Sequence, residues 1–440
     1  MKMNFDKKKY TSIGLSILLI TGALTFLYNE QPAYAVSVAY NDGSVSSSIS
    51  TNCAARTTVA TLATSFGAAA VGDPNIVIAT VDWVSSDAGV ESVVQGATSN
   101  GLYNGVTQMV GTQYTFYVGT SGQGEHYTYL LEDAIALANP TYTVETCVSA
   151  TASTAEAKIL AFKGLESSFI DNGNVATSAG SFVTIATLTT DLTANNHIII
   201  ASIQIDCDGA STIAAGNIEL RNSADTMLAE NEFHMICSSA AAGDGFSIVL
   251  IATNPSGAAN TSYKVAVQET TSGLAGAEAK ILAFKAANDE YYFTDSGSTG
   301  VTTSTTQLNS RATSFYNSEQ IGILDATQYD DTDTQVESLV VTTGHTINNV
   351  ADIAVNDLAI SGQGAASAAG EGLRHSLVYG GTLSAANPTF LSTADASATG
   401  LNGESKILAF SLIDGVSDPN FSGMQQNNMW IFAIGRMYFA

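Results

Sequence analysis

The sequence predicts an all-β protein: three tandem β-sandwich repeats, jelly-roll-like or Ig-like, behind a signal peptide. Three observations lead there. The block Ala157-Lys158-Ile159-Leu160-Ala161-Phe162 returns as Ala279-Lys280-Ile281-Leu282-Ala283-Phe284 and as Ser405-Lys406-Ile407-Leu408-Ala409-Phe410, at spacings of 122 and 126 residues. Two further landmarks precede it each time. The composition is dominated by Gly, Ser, Thr, Ala and Val with 12% charged residues, which suits strands joined by small polar turns. An apolar share of 45% excludes a disordered chain.

At the N-terminus, Lys7 to Lys9 precede an uncharged apolar stretch from Ile13 to Leu27, and Ala33-Tyr34-Ala35 supplies small residues for cleavage. The stretch is shorter than the roughly 20 residues of a membrane span, so a cleaved signal peptide is expected, and no other segment is long and apolar enough to span. The expected divisions are 1–35 signal peptide, 36–163, 164–285 and 286–411 as the three repeats, and 412–440 as an apolar tail.

Each repeat opens with short strands, marked by Ala63-Thr64-Ser65-Phe66 and Ala312-Thr313-Ser314-Phe315. A long strand follows, at Asn75 to Val81, His197 to Ile203 and Ile321 to Thr327. Gly-x-Gly comes next, at Gly122, Gly243 and Gly370. A turn centred on Asn139, Asn260 or Asn387 then leads to the Lys-Ile-Leu-Ala-Phe strand. In that strand Leu160 and Phe162 share one face, and Ile159 and Ala161 the other. Seven to nine strands per repeat fit a sandwich, with a three-strand meander expected at its end. The joints between repeats are short, which predicts a semi-rigid rod.

Candidate sites are few. Cys53 and Cys147 fall in the first repeat and Cys207 and Cys237 in the second, so disulfides within each repeat are expected after export; no spacing suits zinc. Asp82, Asp206 and Asp330 recur at intervals of 124, each at the end of the long strand. In the second and third repeats, Asp206 with Asp208 and Asp330 with Asp331 and Asp333 could hold calcium, a hard cation that wants several oxygens, although a polar turn explains them too. No other cofactor is expected. Tyr127 and Tyr129 alternate on a strand and could form a sugar platform, but packing explains them better. His126 and His375 are offset by one residue, which argues against a repeated histidine site. Glu132-Asp133 and Asp330-Asp331 are carboxylate pairs by type only, because strand neighbours face opposite ways. Asn260-Thr261-Ser262 and Asn420-Phe421-Ser422 match the glycosylation pattern.

No Gly-x-Ser-x-Gly elbow and no His-Glu-x-x-His pair is present, so common hydrolase signatures are missing and no catalysis is expected. The formal net charge of −25 opposes nucleic-acid binding. The tail carries Trp430, Ile431, Phe432, Ile434, Tyr438 and Phe439. It could pack on the third repeat, add as a strand to a sheet of a neighbouring copy, or dock on a membrane or partner. The expectation is a secreted or cell-surface structural or adhesive protein without catalysis, with self-association through its tail as one open route. The alternative is an array of modules binding surface glycans or calcium.

Overall fold

Strand-forming stretches fill the chain in the computed structural model, and the architecture is all-β. The structure describes residues 38–412 apart from 46–48, 50–54, 69–73, 86–91, 95–99, 112–115, 119–123, 148–152, 164, 208–212, 237–244, 271–273, 288–289, 332–338, 342–345, 349–352, 356–359, 363–371 and 395–400. No described helix is long and apolar enough to cross a membrane.

The first repeat holds β1 (Val38–Val45), β2 (Thr57–Ala63), β3 (Asn75–Ser85), β4 (Gly101–Asn104), β5 (Thr107–Gly111), β6 (Gly124–Asp133), β7 (Thr141–Thr146) and β8 (Ser153–Lys163). The second holds β9 (Ser167–Val175), β10 (Phe182–Thr189), β11 (Asn195–Cys207), β12 (Ile213–Asn222), β13 (Met227–Ile236), β14 (Gly245–Gly257), β15 (Ser262–Glu269) and β16 (Leu274–Phe284). The third holds β17 (Tyr291–Asp295), β18 (Thr306–Ala312), β19 (Gln320–Asp331), β20 (Thr346–Asn348), β21 (Ile353–Val355), β22 (Gly372–Thr382), β23 (Thr389–Ala394) and β24 (Leu401–Ser411). Strands eight apart in this numbering are equivalent.

The sheet order is the same three times. In the first repeat one sheet runs β1-β8-β3-β6 and the other β2-β7-β4-β5. The second repeat gives β9-β16-β11-β14 and β10-β15-β12-β13; the third gives β17-β24-β19-β22 and β18-β23-β20-β21. Two antiparallel sheets with four-strand paths interleaved in this order are a jelly roll; in the third repeat the short strand Thr299–Val301 also pairs with β24. The expected meander does not form. β6 and β8 lie in one sheet and β7 in the other, so each turn carries the chain across the sandwich. A turn signal marks the reversal without saying which sheet receives the next strand.

That crossing explains the recurring asparagine. Asn139, Asn260 and Asn387 have φ of 55°, 55° and 52°, a left-handed conformation that Asn tolerates better than most residues. Each is clamped from the end of the second strand. Asn139 N–H donates to the Phe66 carbonyl, Asn260 to Leu192 and Asn387 to Phe315. The hydroxyls of Thr64, Thr190 and Thr313 donate back to the carbonyls of Pro140, Thr261 and Pro388.

Each sandwich has its own interior, with Val77, Ala79, Ile159 and Ala161 in the first, Ile199, Ala201, Ile281 and Ala283 in the second, and Ile323, Ile407 and Ala409 in the third. The opposite faces of the same strands are apolar as well. Ile76, Ile78, Leu160 and Phe162 join Ile198, Ile200, Leu282 and Phe284 and Leu324, Leu408 and Phe410 in one further cluster. A sheet with two apolar faces must be covered on both. The repeats therefore meet face to face at a shared core, and the rod expected from the short joints is replaced by three sandwiches gathered about one junction.

Candidate functional site: the junction of three jelly rolls

The junction is layered along the closing strands β8, β16 and β24. Phe162, Phe284 and Phe410 form a triangle with ring centroids 5.6, 5.6 and 5.0 Å apart. Leu160, Leu282 and Leu408 follow two residues back on the same faces. Two residues further, that face becomes charged at Lys158, Lys280 and Lys406, and then at Glu156, Glu278 and Glu404.

Each lysine sits between two carboxylates. Lys158 contacts Glu156 on its own strand, and its Nζ is 3.2 Å from Asp42 Oδ2 on the edge strand β1. Lys280 contacts Glu278, with Asp171 Oδ1 at 3.4 Å on β9. Lys406 has Glu404 Oε1 at 2.6 Å and Asp295 Oδ2 at 3.3 Å on β17. The register sets each aspartate directly opposite its lysine. Burial raises the Glu156 carboxyl to about 7 despite the neighbouring Lys158 ammonium, with Asp82 and Asp42 adding to the rise. Burial lowers the Lys280 ammonium below the usual lysine range, against the pull of Asp171. The recurring lysine was visible in the sequence. The Glu-x-Lys spacing and the aromatic-x-Asp of Tyr40-Asn41-Asp42, Phe169-Ile170-Asp171 and Phe293-Thr294-Asp295 were the signals that would have completed the trio.

A second polar group joins the first and third sandwiches. Asp82 Oδ1 is 2.8 Å from His126 Nδ1, and Asp82 Oδ2 is 3.1 Å from His375 Nε2. The two imidazole centroids are 5.2 Å apart. His126 Nε2 also hydrogen-bonds with Ser376 Oγ at 2.6 Å and Thr128 Oγ1 at 3.0 Å. The second sandwich adds Ser202 and Ser247, whose hydroxyls donate to the Thr128 and His126 carbonyls. A small cleft beside the group is lined by His126, Gln328, Arg374, His375, Glu404 and Lys406. The one-residue histidine offset argued against a common site, yet the rings meet. They belong to different sandwiches and approach across the junction, which face alternation within one sheet cannot reveal.

Among the described residues Asp82, His126 and His375 are the cluster with metal-ligand character, their ligand atoms lying within 4.8 Å of one another. Two imidazoles and a carboxylate suit a transition metal. Here both carboxylate oxygens face ring nitrogens at hydrogen-bond distance, so the group holds itself together as a clasp. Burial works to raise the Asp82 carboxyl, but His375 and His126, by charge and hydrogen bond, outweigh it and hold the group below the ordinary carboxylate range.

The other sequence-derived sites fare differently. Register places Asp206 opposite Gly245 and Asp330 opposite Gly372, whereas Val84, not Asp82, lies opposite Gly124. The 124-residue aspartate series is thus offset by two in the first repeat. Asp206 is half-buried at the end of β11, and Asp330 and Asp331 close β19; Asp208 and Asp333 lie outside the described residues. Cys147 is buried just after β7 and its N–H donates to Asn100 Oδ1 at 2.8 Å; Cys207 closes β11, while Cys53 and Cys237 lie outside the described residues. Tyr127 and Tyr129 are buried in the first core, with no face open to a sugar. Glu132 and Asp133 take opposite faces; buried Asp133 accepts from Asn104 and the Tyr142 hydroxyl. Asn260 is exposed, and Asn420 and the tail residues Trp430 to Phe439 lie outside the described residues.

No protein-family model matches the sequence, and no curated protein matches it. Solved structures do match. The chain is similar to an archaeal virus protein described by a triple jelly-roll fold and turret assembly, at 11% identity over 86% of this chain and 90% of that one, with a TM-score of 0.19. It is similar to the VP2 subviral particle of infectious bursal disease virus, at 11% identity, 92% and 91% coverage and a TM-score of 0.20. It is also similar to a tandem CBM22 pair from Paenibacillus barcinonensis, at 9% identity, 55% and 93% coverage and a TM-score of 0.16. The jelly-roll assignment stands on the strand order of the three sandwiches.

Proposed function

We propose that the chain is an exported structural or adhesive subunit whose three jelly rolls act as one body, without catalysis. One observation carries this reading. The phenylalanine and leucine that recur in all three repeats hold the repeats to one another, and the lysine, glutamate and aspartate that recur beside them pair within each sandwich. Recurrence directed inward is what a scaffold requires, whereas an array of binding modules would repeat its outward-facing polar groups.

Assembly tests it. The chain beginning at Val36 and a version ending at Ser411 would be compared by sedimentation and electron microscopy. The longer chain is expected to form ordered assemblies and the shorter to stay monomeric, because a tail of this apolar composition suits strand addition between copies. Identical monomers from both would overturn self-assembly, and glycan binding abolished by a chelator would transfer the chain to the binding-module class.

A further inference from the structure

We propose that Lys158 and Lys280 are sites of self-catalysed amide cross-links, to Asp42 and Asp171 respectively, with Glu156 and Glu278 moving the proton. Each trio contains an amine, a carboxyl and a second carboxyl in contact with the amine, and almost no water reaches the amine. The Lys158 and Glu156 side chains are each 2% exposed, and those of Lys280 and Glu278 1% each. Glu278 Oε2 is buried with no hydrogen-bond partner, leaving an oxygen open to carry a proton.

The reaction needs no cofactor. A desolvated lysine loses its proton more readily and becomes a nucleophile. The Lys280 ammonium first gives one proton, through Glu278, to an oxygen of the Asp171 carboxylate, and the neutral Nζ then adds to Asp171 Cγ. A second proton passes from the nitrogen through Glu278 to that same oxygen, which leaves as water when its C–O bond breaks and the other oxygen reforms the carbonyl. Ammonium and carboxylate become an amide and one water, with no change of oxidation state. Holding Nζ 3.2 to 3.4 Å from the carboxyl oxygen makes the step intramolecular. Well-oriented groups of this kind reach effective molarities of about 10⁵ M or more.

The register gives the bond a use. β1 and β9 are edge strands, and each proposed bond would fix one to the closing strand of its own sandwich. A bond from lysine to the glutamate two residues away on the same strand would fix nothing. The third trio is different. The Lys406 and Glu404 side chains are 12% and 36% exposed, and Glu404 and Asp295 hold the ammonium above the usual lysine range in spite of its burial. Lys406 therefore stays an ion pair.

The intact mass of the purified full chain, measured under denaturing and reducing conditions against its sequenced N-terminus, reads the bonds directly. The expected mass is two waters below that of the linear chain. Tandem mass spectrometry of a digest should find Asp42 joined to Lys158 and Asp171 joined to Lys280. Lys158→Met and Lys280→Met should each restore one water. Glu278→Gln should also restore one while circular dichroism still shows the folded chain. A folded chain of full linear mass overturns the proposal, as does a link from either lysine to glutamate. Loss of a third water would overturn the exemption of Lys406.

Discussion

Asp82 binds two histidines that belong to two sandwiches, so one carboxylate ties distant parts of the sequence together. The native state keeps Asp82 ionised below the point, near 3.8, at which an unperturbed aspartate takes up its proton. Its stabilising contribution is complete above that pH and is lost as the pH falls through the lower folded value. Asp82→Asn should cost about 3 kcal/mol near neutrality, because it breaks a buried polar group on one side. The difference between the two chains should shrink below about pH 4, where the native carboxylate begins to lose its advantage. Urea midpoints of both chains across this range check it, and a difference that stays constant into acid would reject the clasp. At this scale the sequence showed only part. Asn139, Asn260 and Asn387 announced their turns, because a left-handed residue leaves a local signature. Asp82, His126 and His375 left none, since 44 and then 249 residues separate them and no local rule links them.

The sandwiches interlock through features that break their own symmetry. Gly322 on β19 and Gly380 on β22 face each other in register. A Cβ at Gly380 would lie 2.3 Å from Leu160 Cδ1, and one at Gly322 2.5 Å from Phe410 Cζ and 3.2 Å from Leu160 Cδ2. The paired glycines form a notch in the third sandwich that receives a leucine from the first. The equivalent long strands carry Ile76 and Ile198 where β19 has Gly322. Gly380→Val should overpack the notch and cost about 1–3 kcal/mol. Leu160→Ala in the same chain should recover part of that loss, a coupling that a double-mutant cycle of thermal melts would measure. Additive effects would place Leu160 elsewhere. The long strands themselves were evident as apolar runs. Which sheet each entered, and what its second face covered, depended on another repeat and left no mark within the strand.

The whole molecule is organised by the aromatic triangle, and its most direct consequence is cooperativity. Three sandwiches linked as beads would unfold independently, since each has its own interior. Here the junction removes a second apolar face from water in every repeat, and Phe284 touches the phenylalanines of both others. Unfolding one repeat would expose the matching faces of the remaining two. The free energy of those faces is thereby added to each local opening, which couples the three transitions into one. Calorimetry of the full chain should give a single endotherm whose van't Hoff and calorimetric enthalpies agree. Phe284→Ala should cost about 3–5 kcal/mol, from lost burial and the cavity left at the centre. Because the cavity belongs to all three repeats, the variant should lower the entire endotherm and not split off a third of it. Separate transitions in the unmodified chain, or a variant in which only the middle repeat melts early, would show that the junction is too weak to govern the fold.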